Sequence, residues 1–158
     1  MNTSGYNANK MKKKVGFTCG AFDILHVGHV RMLKEARENC EYLIVGIQSD
    51  PSIDRPQKNK PVQSFEERIE MVSSMKYVDE VVIYTTEESL YKLLQKLNPD
   101  VRIIGEDWKN KKYTGWDLPI KMHFNTRKHS FSTSELRNRI YQAELKRSQR
   151  EHQSVLGR

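Results

Sequence analysis

The segment from Val15 to Arg37 constrains the fold more than any other part of this chain. The apolar run at 15–19 predicts a buried strand, and apolar residues at helical spacing from Val30 predict a helix. Gly20 and Gly28 lie in the short turn between them. A strand, tight turn and helix in this order aim the start of the helix at a crevice, and a helix start favours phosphate.

Strand and helix patterns alternate along the rest of the chain, which is typical of a parallel sheet flanked by helices. Further strands are predicted at 42–47, 78–84, 101–104 and 121–124. Helices are expected after Ser64, where Glu67 completes a capping box, and from Ser132 onward. Leucines at 90–97 indicate another helix. We therefore predict an α/β fold, a Rossmann-like doubly wound parallel sheet of about five strands flanked by helices.

The loops that follow four of these strands carry most of the informative residues. In a doubly wound sheet, ligands bind outside the carboxyl ends of the strands. The loops are 20–29, 49–63, 105–108 and 126–134. We expect them to converge at one edge of the sheet and to form a ligand site there.

Positive charge is concentrated at the two ends of the 158-residue chain. Of the net charge of +7, the lysines within residues 10–14 supply four units and the segment from Glu144 supplies two. This distribution predicts a loose N-terminal tail at 1–11, a single domain at 12–145 and a basic C-terminal tail at 146–158. Basic tails can bind polyanions. Solvated chain ends are commoner, so we expect no nucleic-acid partner.

Cysteine usage and hydropathy indicate which cellular compartment the sequence favours. Cys19 and Cys40 are the two cysteines of the sequence and lack the spacing of a metal site, which favours the reducing cytoplasm. No uninterrupted apolar stretch approaches the roughly 20 residues of a membrane span. We expect a cytoplasmic protein without a membrane partner.

His26 and His29 are the first candidates for chemistry, because they lie three residues apart at the predicted helix start. If both lie in the first turn or just before it, their rings project to one side, and Gly28 lets a phosphate approach the backbone closely. Two imidazoles beside a phosphate can stabilise negative charge during phosphoryl or nucleotidyl transfer. The alternative is that His26 caps a turn and that His29 is a helix residue without a chemical role.

The whole of segment 20–29 resembles the G-x-F-D-x-x-H-x-G-H signature of the cytidylyltransferase-like nucleotidyltransferases. Relatives in that family include glycerol-3-phosphate cytidylyltransferase and the heptose-phosphate adenylyltransferases. Residues 76–81 are similar to its R-Y-V-D-E-V segment, 105–108 to its G-D-D-W, and 127–134 to its R-T-x-G-I-S-T-T. The resemblance covers about residues 13–143 and is closest to glycerol-3-phosphate cytidylyltransferase.

The resemblance implies an enzyme that moves CMP from CTP onto a small phosphorylated alcohol and releases pyrophosphate. Mg²⁺ would accompany the triphosphate, with few protein ligands. The candidate catalytic residues are His26, His29, Lys58 and Arg127. The candidate nucleotide-binding residues are Gly20, Ala21, Phe22, His26, Gly28, His29, Asp107, Arg127, Ser132, Thr133 and Ser134. The candidate acceptor-binding residues are Asp23, Lys60 and Lys76. No residue is expected to be a metal ligand, and a homodimer is expected from the resemblance alone.

Several alternatives stay open at this point. Ser132 with Glu135 is also a plain capping box. Which of Lys58 and Lys60 is catalytic stays open, and the alternative for both is a solvated turn. The insert at 109–119 shapes an acceptor pocket, forms a subunit contact, or is a surface excursion. We expect CTP ahead of ATP, although an adenylyltransferase acting on a sugar phosphate uses the same scaffold. A nucleotide-binding or polyanion-binding module without turnover is the alternative from another class.

Overall fold

The computed structural model describes residues 13–157, so the predicted loose tail at 1–11 lies outside the described residues. Strands and α-helices alternate along this part of the chain, as the sequence predicts. The elements are β1 (Val15–Gly20), α1 (Val27–Glu38), β2 (Tyr42–Gln48), α2 (Phe65–Ser73), β3 (Glu80–Tyr84), α3 (Glu87–Leu97), β4 (Val101–Gly105), β5 (Lys121–Asn125) and α4 (Thr133–Leu156).

The strands form one sheet in the order β3-β2-β1-β4-β5, and every pair of neighbours is parallel. The chain winds outward from β1 to β3 and then returns to the other side of β1 with β4. The change of direction between β1 and β4 is the topological switch point, beside which ligands of such sheets bind. The predicted Rossmann-like doubly wound sheet is confirmed.

Two apolar clusters cover the two faces of the sheet, because side chains alternate along each strand. On one face, Leu43, Val45 and Ile47 of β2 pack with residues of α1 and α2. On the other face, Ile44 of β2 packs with Phe17 of β1 and with the leucines of α3. Burial of both faces explains why the central strands are continuous apolar runs rather than alternating ones.

Two boundaries differ from the sequence prediction. The third strand begins at Glu80 rather than at residue 78. Just before it, the Oδ2 atom of Asp79 accepts a hydrogen bond from the backbone N–H of Leu43 at 2.8 Å. The predicted division between residues 145 and 146 falls inside α4, which continues to Leu156. Helical pairing continues across that division, since Arg147 contacts the carboxylates of Glu144 and Glu151 at 3.0 and 2.9 Å.

The helices and thiols of residues 13–157 complete the description of the fold. In this part of the chain no helix combines the length and the apolarity that crossing a bilayer requires. Cys19 and Cys40 are free thiols.

Candidate functional site

The turn after β1 is held in an uncommon conformation by a distant loop. Phe22 and Ile24 have φ angles of +52° and +48°, in the left-handed region that side chains other than glycine seldom adopt. The buried carboxylate of Asp23 accepts hydrogen bonds from the backbone N–H groups of Val62 and Gln63 at 2.9 to 3.0 Å. The Gln63 side chain in turn accepts from the Ile24 N–H at 2.7 Å. These bonds offset the strain and fix the turn that leads to the histidines.

Asp23 therefore has a different place from the one predicted. Its oxygens serve the end of the 49–63 loop, and Arg137 of α4 approaches Oδ2 at 3.8 Å. Because the side chain is only 7% exposed, Asp23 positions the turn rather than facing an acceptor.

His26 and His29 cap α1 reciprocally. His26 is the N-cap residue, and its Nδ1 atom accepts from the Gly28 N–H at 3.0 Å. The Nδ1 atom of His29 accepts from the His26 N–H at 3.2 Å, and the two ring centroids lie 3.9 Å apart. Since both Nδ1 atoms accept hydrogen bonds, we assign the proton of each neutral ring to Nε2. Each ring thus carries one N–H donor on the side away from the helix backbone.

The α1 start differs from the expected phosphate-binding helix start. The Gly28 N–H is bonded to the His26 ring, and the His29 N–H donates to the His26 carbonyl at 2.9 Å. The helix therefore uses these donors itself, and it presents imidazole N–H groups in their place.

Both imidazoles are held in the neutral form. Burial, together with smaller contributions from His26 and Arg127 and against the opposing effect of Asp23, lowers the pKa of His29 to about 4. Burial also lowers the pKa of His26, with a smaller contribution from His129. Near pH 7 the pair acts as neutral hydrogen-bond donors.

Gly28 makes room for the His26 ring, whereas the sequence suggested that it lets a phosphate approach the backbone. A Cβ atom at residue 28 would lie 2.8 Å from Cε1 of His26 and 3.2 Å from Cβ of Phe131. Glycine is thus the residue that lets the ring fold over the first turn of α1 and lets the segment before α4 pass close to it.

The start of α4 meets the start of α1. Ser132 is the N-cap of α4, and its hydroxyl accepts from the Glu135 N–H at 3.1 Å. The Thr133 hydroxyl lies 3.3 Å from Nε2 of His26 and 3.3 Å from the carbonyl oxygen of Asp23. With the tautomer assigned above, His26 donates to Thr133 and Thr133 donates to Asp23. Ser134 is exposed on the outer side of this turn.

Arg127 stands beside this pair of helix starts. Its backbone N–H donates to Glu106 at 2.7 Å, and its Nε atom lies 3.4 Å from the carboxylate of Asp107. Gly105 makes the approach possible, because a Cβ atom there would lie 2.8 Å from Nε of Arg127. Asp107 thus orients the arginine, whose side chain stays 60% exposed and available to an anion.

These groups enclose two cavities at the carboxyl ends of the strands. The smaller one, about 190 Å³, is lined by the histidines, Arg127, Ser132 and Thr133. The larger one, about 480 Å³, is lined by Gly20, Ala21 and residues from the loops after β2, β4 and β5. Met32, Asn125 and Arg127 line both cavities, so the two spaces adjoin. The predicted convergence of the four loops is confirmed.

The structure separates the three candidate lysines. Lys58 and Lys60 are both exposed in the same loop, and of the two it is Lys58 that lines the larger cavity. Lys76 lies before the start of β3, at the amino edge of the sheet, and its ammonium stacks on Tyr77 at 5.1 Å. The prediction that Lys76 binds the acceptor is therefore wrong, since the cavities open at the opposite edge.

Phe22, a predicted nucleotide-binding residue, is buried beneath the histidines. It is buried against His29, with ring centroids 5.4 Å apart, and supports that imidazole rather than contacting a ligand.

Sequence reasoning missed several residues of the site. Asn125, at the end of β5, lines both cavities and has a buried Oδ1 atom without a partner within residues 13–157. Glu35 of α1 accepts from Thr126 and contacts His123 at 2.9 Å, which ties α1 to the segment that carries Arg127. These contacts join residues that are about 90 positions apart, so no local pattern could have indicated them.

The site offers few groups to a metal ion. Within residues 13–157, no three His, Cys, Asp or Glu side chains are grouped as metal ligands would be. The two nearby carboxylates, Glu106 and Asp107, both engage Arg127.

The doubly wound sheet carries paired imidazoles and an arginine at its carboxyl edge. The family model described as cytidylyltransferase-like matches residues 17–139. The chain belongs to the cytidylyltransferase-like family, as the sequence motifs predict.

The curated relatives are longer proteins. Bifunctional protein HldE from Campylobacter concisus is 43% identical over 112 residues, which cover 70% of this chain and 24% of the relative. Bifunctional protein HldE from Helicobacter pylori is 36% identical over 130 residues, covering 82% and 28%. The chain thus spans about a quarter of the length of the curated relatives it matches. The expected closeness to glycerol-3-phosphate cytidylyltransferase is not confirmed by these relatives.

Solved structures show the same fold. The lipopolysaccharide core biosynthesis protein from Thermoplasma volcanium matches with a TM-score of 0.60 and 24% identity, over 77% of this chain and 100% of that one. The pantoate-beta-alanine ligase from Francisella tularensis, complexed with beta-gamma ATP and beta-alanine, matches with a TM-score of 0.54 and 19% identity, over 78% and 63%.

Proposed function

We propose that this chain transfers a nucleoside monophosphate from a nucleoside triphosphate onto a small phosphorylated acceptor. One observation carries the proposal: neutral imidazoles, the Arg127 guanidinium and the start of α4 line one cavity beside the switch point of the sheet. Hydrogen-bond donors fixed before the reaction stabilise charge that develops in the transition state. Phosphoryl transfer in turn depends mainly on positioning and charge stabilisation.

In the proposed reaction, a phosphate oxygen of the acceptor attacks the α-phosphorus of the triphosphate. A new P–O bond forms there as the bond from the α-phosphorus to the bridging oxygen breaks, and pyrophosphate leaves with that electron pair. His29 donates its Nε2–H to a nonbridging α-phosphate oxygen, while His26 donates its Nε2–H to the Thr133 hydroxyl. Arg127, oriented by Asp107, holds the triphosphate, and Lys58 approaches the phosphates from the loop after β2.

Mg²⁺ would enter with the triphosphate and neutralise part of its charge. Its ligands would be phosphate oxygens and water, which suits a cation that retains several waters. Glu106 and Asp107 are the carboxylates nearest to the arginine. Their part in the reaction is to hold Arg127 in place.

We infer that ATP, rather than the CTP expected from sequence, is the nucleotide and that a sugar phosphate is the acceptor. The relatives matched at 36–43% identity are bifunctional HldE proteins, which favours the heptose-phosphate adenylyltransferase side of the family. The segments at 50–56 and 109–119, where the sequence departs from the glycerol-3-phosphate enzymes, both contribute residues to the larger cavity, which we take as the acceptor site.

The test is pyrophosphate release from the protein with Mg²⁺, each of the four nucleoside triphosphates, and a panel of sugar phosphates and phosphorylated alcohols. We expect release with ATP and a sugar phosphate. Release with CTP alone would restore the cytidylyltransferase alternative. No release with any pair, together with retained ATP binding, would leave a nucleotide-binding module without turnover. Sedimentation velocity in the same buffer tests the homodimer that the family resemblance implies.

A further inference from the structure

The larger cavity has a wall that the sequence motifs do not describe. Lys112, Tyr113 and Thr114, from the 109–119 insert, line the space together with Arg102 of β4. The volume of about 480 Å³ lies within the range that holds a small ligand. The insert therefore completes a pocket rather than forming a surface excursion.

Arg102 is the unusual residue of this pocket. It is 3% exposed, and its guanidinium donates to the carbonyl oxygen of Thr114 and lies 5.4 Å from the centre of the Tyr113 ring. Its Nε atom is buried and has no hydrogen-bond partner within residues 13–157. A carbonyl and an aromatic face position the group without neutralising it.

No counter-charge for Arg102 lies within 4 Å among residues 13–157. Glu87 is the acidic residue of the lining, but one of its oxygens pairs with Arg55 at 3.1 Å and the other accepts from Thr114. Cys19 lies nearby, and burial raises the pKa of its thiol, so it stays neutral. An unpaired buried charge is costly, and an anionic ligand would offset that cost.

The remaining charge of the pocket has the same sign. Arg55, Lys58, Lys112 and Arg127 add four cations to Arg102, against the single carboxylate of Glu87 within the described lining. The lining thus favours a ligand with more than one negative charge.

We propose that Arg102 binds a second anionic group of the acceptor, a carboxylate or a second phosphate, distinct from the phosphate that attacks the nucleotide. This inference rests on the proposed function. Of these two cavities, His26 and His29 line the smaller and Arg102 lines the larger, while Arg127 lines both. An acceptor whose reacting phosphate lies at that junction reaches Arg102 only with its far end.

Matched acceptors test the proposal directly. Pyrophosphate release is measured with ATP and glucose 1-phosphate against glucose 1,6-bisphosphate, and with glycerol 3-phosphate against 3-phosphoglycerate. We expect kcat/KM to be about 10-fold to 100-fold higher for at least one doubly anionic member, because buried charge-assisted hydrogen bonds contribute that much. The first pair tests a second phosphate, and the second pair tests a carboxylate.

The variant Arg102→Met separates binding from structure. We expect it to abolish the preference for the doubly anionic acceptor, to leave the singly anionic rate within a few-fold, and to unfold at the same or a higher temperature. Arg150→Met, on the exposed part of α4, is the matched control and should change neither property.

Three results would overturn the proposal. They are equal use of both members of each pair by the wild-type protein, an equal loss for all acceptors in Arg102→Met, or a lower unfolding temperature in that variant. Calorimetric titration of the same four acceptors keeps the test independent of turnover. If no triphosphate releases pyrophosphate, the proposed reaction fails. Tighter binding of doubly anionic acceptors to wild type than to Arg102→Met would still support the anion site.

Discussion

The two helix starts that meet at the site differ in how the backbone N–H groups of their first turns are paired. At α1, the His26 ring and carbonyl take up the N–H groups of Gly28 and His29, so the helix presents imidazoles to the cavity. At α4, the Ser132 hydroxyl accepts only from the Glu135 N–H, and the first turn keeps its other donors. A helix start is therefore an anion site only where its own side chains do not cap it first.

This difference in capping gives the starts of α1 and α4 separate roles in the site. The α1 start holds two neutral, closely stacked donors whose position depends on packing against Phe22, Gly28 and Phe131. The α4 start adds side-chain hydroxyl groups and backbone N–H donors, and the backbone donors persist when a single side chain is changed. Substitutions at α1 should consequently cost more than substitutions at α4, and three experiments test that order.

The largest effect is expected from His29→Ala. Loss of one donor to the transition state should lower pyrophosphate release with ATP and a sugar phosphate by about 100-fold to 1,000-fold. The unfolding temperature should fall by a few degrees, because the ring packs against Phe22 and caps the His26 N–H but stays partly exposed. His152→Ala, an exposed histidine near the end of α4, is the control. Turnover that survives in His29→Ala would remove the imidazole from the reaction.

Gly28→Ala should have an intermediate effect, about a 10-fold loss of turnover. The added Cβ atom would displace the His26 ring, 2.8 Å away, and a small misplacement of a catalytic group is costly. The unfolding temperature should fall slightly, because displacement of the ring weakens its bond to the residue 28 N–H and this loss exceeds the helix propensity gained with alanine. In Gly157→Ala, where the nearest atom is 3.5 Å away, activity should be unchanged. Full activity in Gly28→Ala would mean that the observed ring position is unimportant.

Thr133→Val should have the smallest effect, about a fivefold rise in KM for ATP with kcat nearly unchanged. It removes one neutral hydrogen bond to His26 but leaves the backbone donors of α4 in place. Ser134→Ala removes an exposed hydroxyl of the same turn and serves as the control. A loss as large as that of His29→Ala would contradict the division of tasks between the two helix starts.

The local features of the fold and site could be predicted from sequence. Capping of α2 by Ser64 with Glu67 and of α4 by Ser132 follows from contacts three residues apart, and both are present. The position of His26 and His29 at the α1 start was predicted on the same basis. Their reciprocal capping was not, because it depends on the ring rotamers and not only on the spacing.

The sequence by itself determined the order of strands and helices, the helix starts and the family, because these depend on residue periodicity and short-range hydrogen bonds. Only the tertiary structure decided that Asp23 anchors a loop, that Lys76 lies at the wrong edge, and that Lys58 rather than Lys60 lines the cavity. It also placed Arg102 in the larger cavity, without a counter-ion among residues 13–157. Those outcomes depend on which strands are neighbours and where long side chains end, which sequence spacing does not encode.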